Sequence, residues 1–276
     1  MKWIASGILF AFLLIVTSTA AGEDPKGIEQ QLRHCLENKL VTLRTAYAGS
    51  ELKFDSQGKL LGASEVLPWT THGLIQVKQI RLTDKSLEIK GQRAILVLDI
   101  GGVKGLTPVF AQGMKIRIEL ESPLVGARVS EALTRVFAPD EFVKRFSEYW
   151  KPLVDMDADR AQICKDKPDA TLAILGGMPL YCGGKQSRVT PPSPVYTLDP
   201  EFPKEGRKHT DQGSALLDLI IDENGFPAII KAKSSSGPDF DVQAALAVSR
   251  WRFHPATRDG KPVPYMISVK VDFRLQ

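Results

Sequence analysis

The most constraining feature of the sequence is a hairpin pattern near its C-terminal end. A mostly apolar run over residues 213–221 leads into Asp222-Glu223-Asn224-Gly225, and a second apolar run follows over 228–233. Asn-Gly readily adopts the positive φ angles that tight turns between antiparallel strands require. The two runs and the turn between them therefore predict a β-hairpin.

The residues after this hairpin predict a helix and one further strand. Ser234-Ser235-Ser236-Gly237 interrupts the second run, and Pro238 suits the first turn of a helix, which we expect to continue to about Arg252. His254-Pro255 would end that helix. After a turn at Arg258-Asp259-Gly260-Lys261, residues 265–275 are expected to form the last strand. The predicted order is β-β-α-β.

Several short motifs occur in a fixed order along this predicted module. They are Pro200-Glu201-Phe202-Pro203, Gly213, Asn224-Gly225, Ser235-Ser236-Gly237, Ala244-Ala245, Arg250-Trp251-Arg252-Phe253, Pro255-Ala256, Asp259-Gly260-Lys261-Pro262 and Phe273. In this order and spacing the segment resembles the C-terminal domain of TonB-family proteins. The resemblance implies a binding module and marks Gly225, Trp251, Phe253, Pro255 and Gly260 as residues that define its fold.

The resemblance also implies how the module would bind. The family contacts outer-membrane receptors by β-augmentation, in which an extended segment of the partner pairs with an exposed edge strand. The candidate edge is residues 265–276, where these alternate side chains either face the partner or fill the core: Tyr265, Ile267, Val269, Val271 and Phe273. Both roles are compatible, because edge pairing uses the backbone. The implied partner is an outer-membrane TonB-dependent receptor or another envelope protein, and a homodimer is a further alternative.

Three differences from the family pattern bear on energy transduction. The family's Gln-Pro before the first aromatic residue is Asp199-Pro200 here, no ionisable side chain lies between Trp3 and Gly22, and no long Pro/Lys-rich tract precedes the module. Energy-coupling members carry an ionisable residue in their membrane anchor. We therefore expect a periplasmic TonB-like adaptor. A structural or scaffold protein that reuses the same fold is the alternative.

Residues 1–22 have the organisation of a secretory signal peptide. Lys2 precedes a mostly apolar stretch over 4–16, and small residues follow over 17–22 before Glu23-Asp24. This pattern predicts export to the periplasm. An uncleaved inner-membrane anchor that faces the periplasm is the alternative, because residues 3–21 are just long enough to span a bilayer.

The region 23–185 is expected to form an N-terminal α+β domain. Apolar residues recur at helical spacing over 27–40, 130–137 and 140–153, and at a period of two over 74–82, 86–90, 93–98 and 115–120. These strands predict a mostly antiparallel sheet with flanking helices. Prolines cluster over 186–203, which predicts a semi-rigid linker before a C-terminal domain at 204–276.

Three cysteines follow the predicted leader: Cys35, Cys164 and Cys182. In an oxidising compartment one pair is expected to form a disulfide, and Cys164 with Cys182 would close a short loop. Cys35, on a predicted helix, is then the unpaired thiol. A zinc site is the less favoured alternative, because no histidine or second cysteine lies at ligand spacing.

No pattern in the sequence predicts catalysis, a metal ion or a cofactor. The four histidines show no triad or metal-site spacing. Asp155, Asp157 and Asp159 alternate as in a calcium loop, but the glycine and the distal glutamate of such a loop are missing. The formal net charge of +4 is spread along the chain, which argues against a nucleic-acid-binding protein. We expect a binding protein and not an enzyme.

Overall fold

The structure of the protein is a computed structural model that describes residues 24–139, 166–167, 171–175, 178–181 and 188–275. The described residues divide into two compact units. The first contains residues 24–94 and 110–139, and the second contains Ile95–Val109 together with the described residues from 166 onward. The second unit is therefore assembled from two separate stretches of the chain.

Several predictions lie outside the described residues. They are the leader at 1–22, the helix at 140–153, the acidic run at 155–159, and the disulfide between Cys164 and Cys182. Each of these stays a prediction. Cys35 lies within the described part of the chain, is half-buried and carries a free thiol.

The first unit combines three helices with a mixed sheet. Its helices are α1 (Pro25–Leu36), α2 (Trp69–His72) and α3 (Gly126–Val136). Its strands are β1 (Leu40–Thr42), β2 (Glu51–Phe54), β3 (Leu74–Thr83), β4 (Ser86–Leu98) and β5 (Leu106–Glu119). The end of β4 and the start of β5 belong to the second unit.

Helix α1 shows how local sequence sets an element of this unit. An aspartate caps its N-terminus, and a proline occupies its first turn. Proline is tolerated there because the N–H groups of the first turn have no acceptor within the helix. Ile28, Leu32 and Leu36 recur at helical spacing and are buried. The helix ends at Leu36, before the predicted end at residue 40, because Asn38 has a left-handed φ of 62° and the chain then enters β1.

The strands of the first unit follow the order β1-β3-β4-β5-β2. β1 and β3 pair antiparallel, as do β3 and β4, whereas β2 and β5 pair in parallel. Residues 86–98 form one strand where two were predicted, because a bulge in β3 between Val77 and Gln79 takes up the irregularity at Gly91. Buried aliphatic side chains from α1, α3 and the sheet form the core of this unit.

The second unit adds ten strands and one α-helix within the described residues, besides two short 3-10 helices at Ile100–Gly102 and Gly206–Lys208. Before its helix come β6 (Thr171–Leu175), β7 (Met178–Tyr181), β8 (Val189–Thr190), β9 (Ser193–Tyr196), β10 (Gln212–Ile221) and β11 (Pro227–Ser235). The helix is α4 (Pro238–Val248), and β12 (Arg252–His254), β13 (Ala256–Arg258), β14 (Lys261–Val263) and β15 (Tyr265–Arg274) follow it. None of the helices in the described ranges has the length and apolarity that a membrane span needs.

The second unit is built on a sheet in which the end of β4 is followed by β11, β10, β15, β7 and β6. β10 lies between β11 and β15 and pairs antiparallel with both. α4 packs on β10 and β11. Phe202, Phe240 and Phe273 anchor the core between helix and sheet, with edge-to-face ring contacts at centroid distances of 5.0 to 6.3 Å.

The predicted β-β-α-β elements are β10, β11, α4 and β15, and three short strands precede β15. α4 begins at Pro238, as predicted, but it ends at Val248 and not near Arg252. Residues 252–254 form β12, which pairs with β9. A tertiary contact with a distant strand therefore overrides the helical pattern of these residues.

The segment predicted as a linker contains strands. β8 pairs with β13, β9 pairs with β12, and Phe202 is buried in the core. The fixed φ of proline is compatible with short edge strands, so the prolines do not prevent this pairing. The structure packs residues 188–203 into the second unit, and an independent domain at 204–276 stays a prediction.

Candidate functional site: an open strand edge

Strand β15 is held along its full length by one neighbour. It pairs antiparallel with β10 over ten residues, and the register shows no shift. The Leu275 N–H donates to the carbonyl of Asp211 at 2.8 Å and extends the ladder by one residue. This continuous pairing fixes β15 in an extended conformation before any partner binds.

The second side of β15 is covered only at its start. β7 pairs with it in parallel at Tyr265, opposite Tyr181. Among the residues that the structure describes, no strand pairs with this side over 267–274. An uncovered strand edge presents N–H and C=O groups in the spacing that an added strand needs.

The ladder with β10 identifies which backbone groups face outward. Because the Leu275 N–H points to β10 and the register is regular, every second residue before it also points to β10. The backbone groups that point away from β10 are those of Ser268, Lys270, Asp272 and Arg274. These residues would form the hydrogen bonds to an added strand.

The side chains predicted for this edge lie on the core face of the sheet. Tyr265, Val271 and Phe273 are buried, whereas Ile267 and Val269 are half-buried against the same core. The sequence left open whether these side chains face a partner or fill the core, and Tyr265, Val271 and Phe273 fill the core. Ile267 and Val269 keep apolar surface that a neighbouring strand would cover.

The opposite face of β15 carries polar side chains that sequence reasoning did not single out. The Ser268 hydroxyl hydrogen-bonds to the buried carboxylate of Asp218, which also lies 3.3 Å from the Lys233 ammonium. Lys270 and Asp272 form an exposed ion pair at 2.8 Å. The alternation that predicted the apolar face of β15 also places these polar residues on the opposite face. The sequence pattern could therefore have identified them.

The hairpin turn between β10 and β11 is closed by the side chain of Asp222. Its Oδ1 accepts hydrogen bonds from the N–H groups of Asn224 at 3.0 Å and Phe226 at 2.8 Å. Burial raises the pKa of Asp222 to about 6, although both N–H groups favour the charged form. Gly225 completes the turn with a φ of 84°.

A comparison with known protein families identifies the segment that contains this edge. A family described as the Gram-negative bacterial TonB protein C-terminal region matches residues 199–275. Residues 199–275 form a TonB-family C-terminal domain. The match begins just before Phe202 and ends one residue after β15, so it includes the turn, α4 and the open edge.

Two relatives and one solved structure resemble the TonB-family domain. Protein TonB of Vibrio cholerae serotype O1 is 31% identical over 80 residues, which cover 29% of this chain and 33% of the relative. Protein tonB2 of Pseudomonas aeruginosa is 36% identical over 82 residues, which cover 29% of this chain and 30% of the relative. The chain thus spans about a third of the length of these relatives. The solution NMR structure of the Pseudomonas aeruginosa TonB CTD aligns at 22% identity with a TM-score of 0.28, over 32% of this chain and 89% of that one.

The remaining residues marked by the resemblance lie after α4 in the TonB-family domain. Phe253 is buried in the core, and the half-buried ring of Trp251 lies 6.3 Å from it, centroid to centroid. The Trp251 indole N–H donates to the carbonyl of Leu198 at 3.0 Å. Pro255 separates β12 from β13, and Gly260 has a φ of 77° in the turn between β13 and β14.

The described part of the TonB-family domain offers no metal site. Within the described ranges of the chain, no group of three or more His, Cys, Asp or Glu side chains is arranged to hold a metal ion. The chemistry that the described geometry supports is backbone hydrogen bonding along β15.

Proposed function

We propose that the TonB-family domain binds an extended segment of an envelope protein as an additional strand beside β15. The observation that carries this proposal is the open second side of β15 over residues 267–274 among the described residues. The edge is held rigid by β10, so a partner strand would not have to order it first. Because β7 already pairs at Tyr265, the added strand would begin after that residue.

The expected affinity follows from the number of backbone groups on offer. Each outward-facing residue of β15 presents one N–H and one C=O, and a hydrogen bond contributes about 1 kcal/mol net. Ordering an extended partner segment costs roughly 2–5 kcal/mol. The backbone bonds alone would therefore give a weak complex. A partner whose apolar side chains also cover Ile267 and Val269 would bind more tightly, because both are half-buried when free.

The partner proposed first is an outer-membrane TonB-dependent receptor. This protein would bind it in the periplasm, after export. The support is the TonB-family domain at residues 199–275 and its likeness to two proteins named TonB. Energy transduction is not part of the proposal, because the likeness covers only about a third of those proteins. The proposed role is that of a binding adaptor without catalytic activity.

The test is a binding titration of the full-length protein with labelled peptides from the periplasmic plug segments of outer-membrane receptors. Lys270→Pro removes an outward N–H of β15 but no bond to β10, so it should weaken binding at least about tenfold. Lys270→Ala is the matched control, because it removes the same side chain and keeps the N–H. It should bind within about threefold of the unmodified protein.

Two results would contradict the proposal. Equal affinities of Lys270→Pro and the unmodified protein would show that peptides bind away from β15. The second result is that no receptor peptide binds saturably and that β15 cross-links only to soluble envelope proteins. The partner would then be a soluble envelope protein, and the role that of a scaffold.

A further inference from the structure

Residues 95–109 lie far outside the stretch that matches the TonB family, yet they belong to the second unit. Ile95, Val97, Ile100 and Val109 are buried in the same core cluster as the residues of α4 and β11. Residues 95–109 comprise the end of β4, the connection to β5 and the start of β5, whereas the rest of both strands belongs to the first unit. The TonB-family domain of this protein is thus completed by a segment from a distant part of the chain.

This segment occupies the sheet edge opposite to β15. Val97 and Leu98 at the end of β4 pair in parallel with Ile230 and Lys231 of β11. The other side of β11 is paired with β10. Without residues 95–109, the central part of β11 would be a second open edge with an apolar, β-branched sequence, which is the type of edge that pairs with other chains.

Two polar contacts hold the segment against the domain. The Asp99 carboxylate lies 3.5 Å from the Lys231 ammonium, and the exposed fractions of the two side chains are only 7% and 8%. The Gly101 N–H donates to Oδ2 of Asp241 at 3.1 Å, in the first turn of α4. Opening the segment would part Asp99 from Lys231 and Gly101 from Asp241, and buried partners are costlier to separate than exposed ones.

We propose that residues 95–109 act as a built-in edge strand that covers β11 and prevents it from pairing with β11 of a second copy of this chain. With β11 covered, β15 is left as the open edge of the domain. The inference goes beyond the proposed function, because it concerns self-association and holds whether or not β15 binds a receptor segment.

The test compares two double variants of the full-length protein that change the charge in the same way. Asp99→Asn with Asp241→Ala removes the anion beside Lys231 and the acceptor of the Gly101 N–H. Asp84→Asn with Asp239→Ala makes the same replacements at exposed positions and serves as the control. Hydrogen exchange reports edge opening, and light scattering coupled to gel filtration reports mass.

The first variant should show amide exchange at Ile230, whose N–H points to β4, that is at least about tenfold faster, with little change at Val269 and Val271 in the β10–β15 ladder. It should also gain mass towards a dimer as its concentration rises, whereas the control stays at the mass of the unmodified protein. Unchanged exchange at β11, or opening of β11 without a gain in mass, would overturn the proposal.

A measurement on the unmodified protein keeps the proposal falsifiable even if the variant fails to fold. The covered amides of β11 should then exchange more slowly than the outward-facing amides of Lys270 and Asp272. Equal protection at the two edges would contradict the assignment of residues 95–109 as an edge strand.

Discussion

The backbone N–H of Phe253 donates to the carbonyl oxygen of Gly225 at a distance of 2.9 Å, and this bond fastens β12 to the hairpin turn. The approach is so close that a Cβ atom on Gly225 would lie 1.9 Å from the carbonyl oxygen of Phe253. The same residue has a φ of 84°, which residues with a Cβ rarely adopt. Both backbone angle and available space therefore require glycine at this position.

Gly225→Ala should destabilise the TonB-family domain by clearly more than the cost of a positive φ alone, which is about 1 kcal/mol. The matched control is Gly260→Ala, because Gly260 has a φ of 77° but a Cβ atom added to it would meet no other atom within 4 Å. Urea unfolding followed by tryptophan fluorescence measures both losses. Equal losses would show that the contact with Phe253 relaxes without cost.

Asp222 should make the domain less stable as the pH rises from about 4 to 6. Burial raises the pKa of this carboxyl from 3.8 to about 6, so the folded state binds the proton more tightly than the unfolded state. The stabilisation is fully present below the unfolded pKa and is lost as the pH rises through the folded pKa. Asp222→Asn keeps an acceptor for the turn but does not titrate. Its stability relative to the unmodified protein should therefore increase as the pH rises over this range.

Urea midpoints measured between pH 3.5 and 7.5 in steps of about one pH unit would test this prediction. Asp84→Asn, in an exposed turn between β3 and β4, is the control for the loss of one negative charge. A constant difference between Asp222→Asn and the unmodified protein across the range would contradict the prediction.

Arg93 should be essential to the stability of the first unit. It is 3% exposed, and its guanidinium donates to the carbonyls of His72, Tyr47 at 3.0 Å and Gly49 at 2.8 Å. Burial lowers the pKa of Arg93 to about 10, so the group stays charged at neutral pH. Arg93→Met leaves these carbonyls without their donor and should cost at least about 3 kcal/mol.

Arg93→Lys is the informative comparison, since it keeps the charge and loses the fork of donors that reaches several carbonyls. We expect Arg93→Lys to have a free energy of unfolding between those of the unmodified protein and Arg93→Met. Urea unfolding and amide exchange at residues 47–49 measure the difference. A methionine variant as stable as the unmodified protein would show that these carbonyls find other donors.

The indole of Trp251 should tether residues 188–203 to the TonB-family domain through its bond to Leu198. Trp251→Phe keeps an aromatic ring and removes the donor, so it should cost about 1 kcal/mol. The sharper readout is limited proteolysis, in which cleavage between residues 190 and 200 should become faster. Cleavage at the unmodified rate would show that β8 and β9 hold the segment without the tryptophan.

Local sequence was enough to predict the elements whose signals lie within a few residues. The turn at 222–225 follows from Asn-Gly, the start of α4 from Pro238, and the two faces of β15 from the alternation of apolar and polar residues. The motifs around Trp251 were also enough to identify the TonB-family domain. Each of these signals depends on backbone preferences or on side-chain periodicity, which neighbouring residues determine.

Only the tertiary structure decided which segments lie side by side. Nothing near residues 95–109 in the sequence indicates that Val97 pairs with Ile230, that Asp99 is buried against Lys231, or that the end of the predicted helix becomes a strand beside β9. The sequence by itself determined the local conformation of β15 and its chemistry. The tertiary structure decided that β15 has an open side while β11 does not, because strand pairing joins residues whose separation along the chain leaves no local periodic signal.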